Sequence, residues 1–358
     1  MNISLECIAS SLPEGIDAAL IISNTNRKYF TDFTSSAGYL IVTRKDAFLL
    51  VDFRYGEAAK EKAAGCNVIV FENLRSCLRD LIDETGIKTI MLEGSAFTIN
   101  EAERIDRFIA GTGAETVKSS ELDDIIGRMR IIKTADETAN IIEAQRITEK
   151  ALADTLKLVK EGVAEKDIAL ELEYRMRKYG AEGISFDLIV IAGKKTSMPH
   201  GVPGNYRIKP GDFITFDIGA LYNGYHSDMT RTYALGYADE KQKRVYQIVY
   251  EAQQKGIEAV RAGVKCCDVD SAAREYIYQS GFEGFFGHSV GHGVGLDIHE
   301  LPAVSSSSET VLQSGMVITI EPGIYLPGEF GVRIEDMVSV TADGCIDLAA
   351  MPKELIIL

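Results

Sequence analysis

Two six-residue stretches, some hundred residues apart, constrain the fold of this chain more than anything else in it. Residues 214–219 read ITFDIG and residues 318–323 read ITIEPG. Each is an apolar strand that ends in a carboxylate, with a glycine two positions on. Past a turn, each is followed by a second strand carrying another acid, Asp228 in SDMTRT and Glu335 in VRIED. A hairpin repeated in this way predicts two pseudo-symmetric halves facing one another.

The strand period fixes where the acids point. With the first turn at Asn223-Gly224, a strong hairpin signal, Gly219 opposes Asp228. Asp217 lies two residues from Gly219 and shares its face. Asp217 and Asp228 then become diagonal neighbours, within joint reach of one ion. A second hairpin centred on Gly328 sets Glu321 opposite Glu335, a like-charge pair that is destabilising without a cation. Arg333 falls on that face and balances part of the charge.

The stretch GHSVGHGVGLDIHE, residues 287–300, adds three of the five histidines: His288, His292 and His299. Its four glycines would each cost a helix about 1 kcal/mol, so the segment is expected to be a loop or short strand whose backbone approaches something closely. Ser289 follows His288, which excludes the HExxH pattern of helical zinc peptidases. Four carboxylates and an imidazole form a hard, oxygen-rich donor set. That set suits two divalent ions, Mn²⁺ first, with Co²⁺, Fe²⁺ or Zn²⁺ also fitting, and differs from a cysteine-rich structural zinc site. Paired ions of this kind serve hydrolysis.

The remainder of the chain sets bounds. A length of 358 residues suggests two domains. A net charge of −15 and a pI near 4.9 argue against nucleic acid and anionic membranes as partners. The N-terminus shows no secretory pattern, no apolar run is long enough to span a bilayer, and six scattered cysteines read as free thiols of a reducing cytoplasm. Residues 1–125 alternate short apolar runs (19–23, 38–43, 47–53, 67–71, 88–94) with helical patterns near 55–64, 74–85 and 100–110, giving a small α/β domain. The stretch 122–133 is the expected junction, and 126–358 the second domain. There, Thr134 and Glu137 form a capping box for a long helix, and further helices are expected at 165–179, 239–261 and 267–280. Strands are expected through 186–235 and 316–341.

With those residues in place, the sequence resembles the pita-bread metallopeptidases, and among them the Xaa-Pro peptidases, prolidase and aminopeptidase P. The family's ligand order of Asp, Asp, His, Glu, Glu is matched by Asp217 in FDIGA, Asp228 in SDMTRT, His292 in GHGVGLDIHE, Glu321 in TIEPGIY and Glu335 in GVRIED. The resemblance runs through most of 130–350. It implies an α/β N-terminal domain followed by an α+β pita-bread catalytic domain with pseudo-two-fold halves. Asp217 would bind one metal with both oxygens, Asp228 and Glu335 would bridge the pair, and His292 and Glu321 would complete the coordination of the other metal.

By the same resemblance, His200 in the MPHG loop, His288 and His299 sit beside substrate, Arg333 and Tyr325 support the site, and Glu321 assists proton transfer. His226, the fifth histidine, matches no motif. Short proline-containing peptides are the implied substrates, whether dipeptides or longer chains, and a homodimer is the implied assembly. Methionine aminopeptidase shares the ligand set, though it usually lacks the leading domain. Creatinase-like enzymes and non-catalytic binding proteins on this fold have lost ligands that are all present here.

Overall fold

The structure, a computed structural model, describes residues 1–358. The chain divides into two compact units, Met1–Arg130 and Ile131–Leu358. The division falls later than the expected 125/126 boundary because the helix Glu121–Arg130 runs across it. That helix turns Leu122, Ile125 and Ile126, spaced for one helical face, into the core of the first unit.

The first unit is a six-stranded mixed sheet with helices on both faces. Its central strands, Ala18–Ile21 and Tyr39–Thr43, are antiparallel neighbours, while Thr89–Leu92 pairs parallel to Ala18–Ile21. Strand alternation divides the apolar residues between two cores. Ala19, Ile21, Leu40 and Val42 face the helices Ile3–Ser11 and Glu121–Arg130. Ala18, Leu20 and Ile41 face Leu74–Thr85 and Ile99–Ile109. Burial on both faces explains why these strands read as unbroken apolar runs. The helices Ile3–Ser11 and Asn24–Thr31 were not expected from the sequence; both are short and open on capping side chains, Asn2 and Ser23.

The second unit is built from two similar halves, each a helix pair packed on a strand hairpin. In the first half, Ala135–Leu156 and Glu165–Lys178 cover the strands Ile189–Ala192, Phe213–Ile218 and Met229–Ala234. The capping box of Thr134 and Glu137 is formed. In the second half, Glu240–Ala259 and Cys266–Ile277 cover a five-stranded sheet that contains Val317–Ile320 and Asp336–Val340. The helix expected over 267–280 ends at Ile277 and runs on as a wider turn to Phe282, where Gly281 takes φ 92°.

Both hairpins keep the expected register. Tyr222 pairs with Tyr225 across Asn223 (φ 48°) and Gly224 (φ 78°), and Asp217 pairs with Thr230. In the second, Leu326 pairs with Phe330 around Gly328, and Ile320 pairs with Asp336. Each hairpin is nevertheless interrupted, and its two parts join different sheets. At the first break a Cβ on Gly219 would lie 1.9 Å from the Ser227 carbonyl oxygen, so no side chain fits. Asp228, Glu321 and Glu335 fall in these breaks. Leaving the ladder frees three acids from strand alternation and lets them turn inward together. An isolated bridge between Thr230 and Glu335 ties the two halves at that point.

Candidate metal centre

Asp217, Asp228, His292, Glu321 and Glu335 converge on one cleft of about 680 Å³ within the second unit. Asp228, His292 and Glu335 each bring a ligand atom within 4.8 Å of the other two. His292 Nε2 stands 3.5 Å from Asp228 Oδ2 and 3.5 Å from Glu321 Oε1. Its other nitrogen, Nδ1, lies 3.0 Å from the Gly293 carbonyl. That bond places the proton on Nδ1 and leaves the Nε2 lone pair facing the acids.

The backbone around His292 is as close as its glycines suggest. The short strand Gly291–Gly293 lies between two neighbours, and a Cβ on Gly291 would sit 1.9 Å from the Thr319 carbonyl. One on Gly293 would sit 2.1 Å from the Leu301 carbonyl. Here glycine is required by approach rather than by flexibility.

Electrostatics set this cluster apart. Burial pushes the Glu321 carboxyl up to about 8. Burial and the neighbouring acids raise Asp228 and Glu335 well above the ordinary carboxylate range. Burial takes His292 down to about 4, so the ring is neutral at physiological pH. The three acids are thus held from the ionised state they would prefer in water. Buried carboxylates in such numbers need protons or cations.

The supporting residues form a connected chain. Arg333, buried, donates from Nη2 to Asp217 and from Nη1 to the Tyr325 hydroxyl at 2.8 Å. Tyr325 in turn lies 2.8 Å from His288 Nε2, while His288 Nδ1 lies 2.8 Å from the Ser289 carbonyl. Both His288 nitrogens are therefore engaged within the chain, and its ring is held by the protein. Tyr325 sits behind the cleft wall. His200 and His299 are exposed on the wall itself, the His299 ring 4.3 Å from that of His292. His226 is half-buried near the His292 segment, with its backbone N–H donating to the Gly295 carbonyl at 2.9 Å.

Residues 139–342 match metallopeptidase family M24, and residues 13–132 match the creatinase/prolidase N-terminal domain. The chain belongs to metallopeptidase family M24. It is 40% identical to an Xaa-Pro dipeptidase of Pyrococcus horikoshii over 95% of each chain. Its fold superposes on an Xaa-Pro dipeptidase from Bacillus anthracis with a TM-score of 0.95 and 40% identity, covering 99% of each. An X-Pro aminopeptidase from Thermotoga maritima follows at 0.91 and 36% identity, covering 96% of this chain and 98% of that one. The pita-bread architecture of the second unit is that of the M24 domain.

An M24 metallopeptidase works with divalent metal ions, and the donor set of this chain fits them. A neutral imidazole with its free lone pair aimed at buried carboxylates is the arrangement hard divalent cations take. Two residues of the cluster escaped the motif reading. The Thr230 hydroxyl donates to Glu335 Oε2 at 2.6 Å, and Arg333 Nε donates to Thr230 Oγ1 at 3.2 Å. Thr319 Oγ1 accepts from the His292 N–H at 3.1 Å and donates to Glu321 Oε1 at 3.3 Å. The sequence held a signal for both, since each threonine stands two residues from an acid, Thr230 from Asp228 and Thr319 from Glu321, the spacing that an unbroken strand would turn to one face.

Proposed function

We propose that this protein is a dinuclear metallo-exopeptidase that cleaves the bond between an N-terminal residue and proline, in dipeptides or short peptides. Asp217, Asp228, His292, Glu321 and Glu335 hold the ions, Mn²⁺ first among Co²⁺, Fe²⁺ and Zn²⁺. When bound, they supply Lewis-acid activation of water and of the scissile carbonyl. The observation that carries the reading is this five-residue donor set at the bottom of a cleft, in a chain similar over nearly its whole length to Xaa-Pro dipeptidases.

The chain's own residues do the rest. Glu321 accepts the proton of the attacking water and delivers it to the proline nitrogen as the C–N bond breaks. His200 and His299, on the cleft wall, orient the substrate carbonyl and the developing oxyanion. Arg333 holds Asp217 in place and, through Tyr325, fixes the ring of His288 beside the substrate. We also infer a cytoplasmic location from the free cysteines, and a homodimer from the resemblance to the Xaa-Pro peptidases.

The test compares proline release from Leu-Pro with leucine release from Leu-Pro-Pro-Gly, using Mn²⁺-loaded enzyme and an EDTA-treated control. Cleavage of Leu-Pro alone means a dipeptidase, and cleavage of the longer peptide means an aminopeptidase. Cleavage of neither by metal-loaded protein overturns the reading and brings methionyl peptides forward.

A further inference from the structure

The loop that carries His200 is closed at both ends by one carboxylate. Glu165 opens the helix Glu165–Lys178, and its side chain is fully buried. Its Oε1 accepts the Ala192 N–H at 2.8 Å, and its Oε2 accepts the Gly204 N–H at 2.9 Å. Lys195 Nζ donates to the same Oε2 at 2.6 Å and also to the Val202 carbonyl at 3.0 Å. A Cβ on Gly204 would come within 3.2 Å of Lys195 Nζ, so the chain passes close over the ion pair. Between these anchors the loop meets the cleft, where Arg333 Nη2 donates to the Pro199 carbonyl at 3.4 Å and His200 lines the wall.

We propose that Glu165 and Lys195 are positioning residues, which act through His200 by fixing the height of the 193–204 loop over the cleft. The proposal rests on the peptidase reading of that cleft. A buried carboxylate with a lysine, two backbone amides and a loop carbonyl around it forms a rigid knot, whereas the His200 ring is exposed and has no such constraint. Displacing a group beside the reacting carbonyl by about 1 Å can cost up to ~100-fold in rate. Neither Glu165 nor Lys195 lines the cleft that the acids share, so loss of the knot is expected to leave the metal in place.

The experiment is a double-mutant cycle of Lys195→Met with His200→Ala on the Mn²⁺-loaded, full-length enzyme. Lys195 is partly exposed, but its replacement leaves the buried Glu165 carboxylate with two backbone amides as donors, so a thermal melt accompanies each variant and rates are taken per folded molecule. We expect Lys195→Met to lower kcat/KM for Leu-Pro about tenfold, to leave metal content unchanged, and to speed hydrogen exchange at the Ala192 and Gly204 amides. In the His200→Ala background the same change should cost less than about twofold, and Lys195→Arg should recover most of the loss. An equal loss in both backgrounds, or no loss in either, overturns the proposal. If the wild type ignores Leu-Pro but hydrolyses a methionyl peptide, the Xaa-Pro reading fails, and the same cycle on that peptide still decides the clamp.

Discussion

Two buried glutamates in this chain live in opposite circumstances. Glu93, in the first unit, is fully buried, and its carboxylate accepts from the Ile22 and Ser23 amides at 2.7 and 2.9 Å, the Ser23 hydroxyl at 2.5 Å and the Asn26 amide at 2.6 Å. Glu335, in the second unit, is as deeply buried, yet its carboxylate is met by the Thr230 hydroxyl and then by Asp228, Glu321 and Asp217, with the neutral His292 ring beside it and Arg333 as the neighbouring cation. The first carboxylate is complete within its own fold. The second is surrounded by groups that raise its cost. A buried acid whose donors come from the chain is structural, and one whose neighbours repel it is waiting for a cation.

This contrast can be broken most sharply by removing each carboxylate. Glu335→Gln should lower kcat/KM by about 1,000-fold or more and reduce metal content, with little loss of thermal stability. Glu93→Ala should retain its metal and its turnover per folded molecule, but lose about 3 kcal/mol, since several donors are left without an acceptor. Equal effects on activity and stability at the two positions would contradict the distinction.

Removing the metal should sharpen it further. In the second unit, Asp228, Glu321 and Glu335 have carboxyl groups raised above their unfolded values, Glu321 to about 8. In the folded apoprotein these three carboxyls bind more protons than in the unfolded chain up to about pH 8, while His288 and His292, held down to about 4 by burial, bind fewer once the pH drops below the ordinary histidine value. The carboxyls dominate from pH 8 to about pH 6, where stability rises as pH falls. Thermal melts of EDTA-treated protein at pH 8 and pH 6 should show the higher midpoint at pH 6, and Mn²⁺ should raise the midpoint most at pH 8. An apoprotein more stable at pH 8 than at pH 6 would argue against the clustering of these acids.

Two smaller effects follow from the neighbours. Gly291→Ala places a Cβ against the Thr319 carbonyl and should cost about 2 kcal/mol, with weaker metal binding because His292 moves. Thr230→Val removes one hydroxyl from Glu335 and one acceptor from Arg333, and should lower kcat/KM about three- to tenfold. Metal titration separates these variants: the first should change affinity, the second mainly turnover.

Much of this centre was legible before the structure. The turn at Asn223-Gly224 and the period of the flanking strands were enough to set Gly219 opposite Asp228 and Asp217 diagonal to it, and the observed pairing of Asp217 with Thr230 has that register. The glycine-rich setting of His292 already pointed to close backbone contact, and the Gly291 and Gly293 distances bear that out. What periodicity could not show is that each hairpin breaks at its acids and divides between sheets. A strand pattern has the same period on both sides of such a break. Nor could it show the Glu165–Lys195 knot, because its partners are backbone amides and carbonyls brought together by the fold. The helix Glu121–Arg130 was missed for a simpler reason: its acidic first turn and Gly127 look like a linker until Leu122, Ile125 and Ile126 find their core.

The most direct test of the central claim is a metal count per chain, by elemental analysis after Mn²⁺ loading and desalting, on wild type, Glu335→Gln and Glu93→Gln. The account predicts two ions for wild type and for Glu93→Gln, and one or none for Glu335→Gln. Full occupancy in Glu335→Gln, or loss of metal in Glu93→Gln, would contradict it.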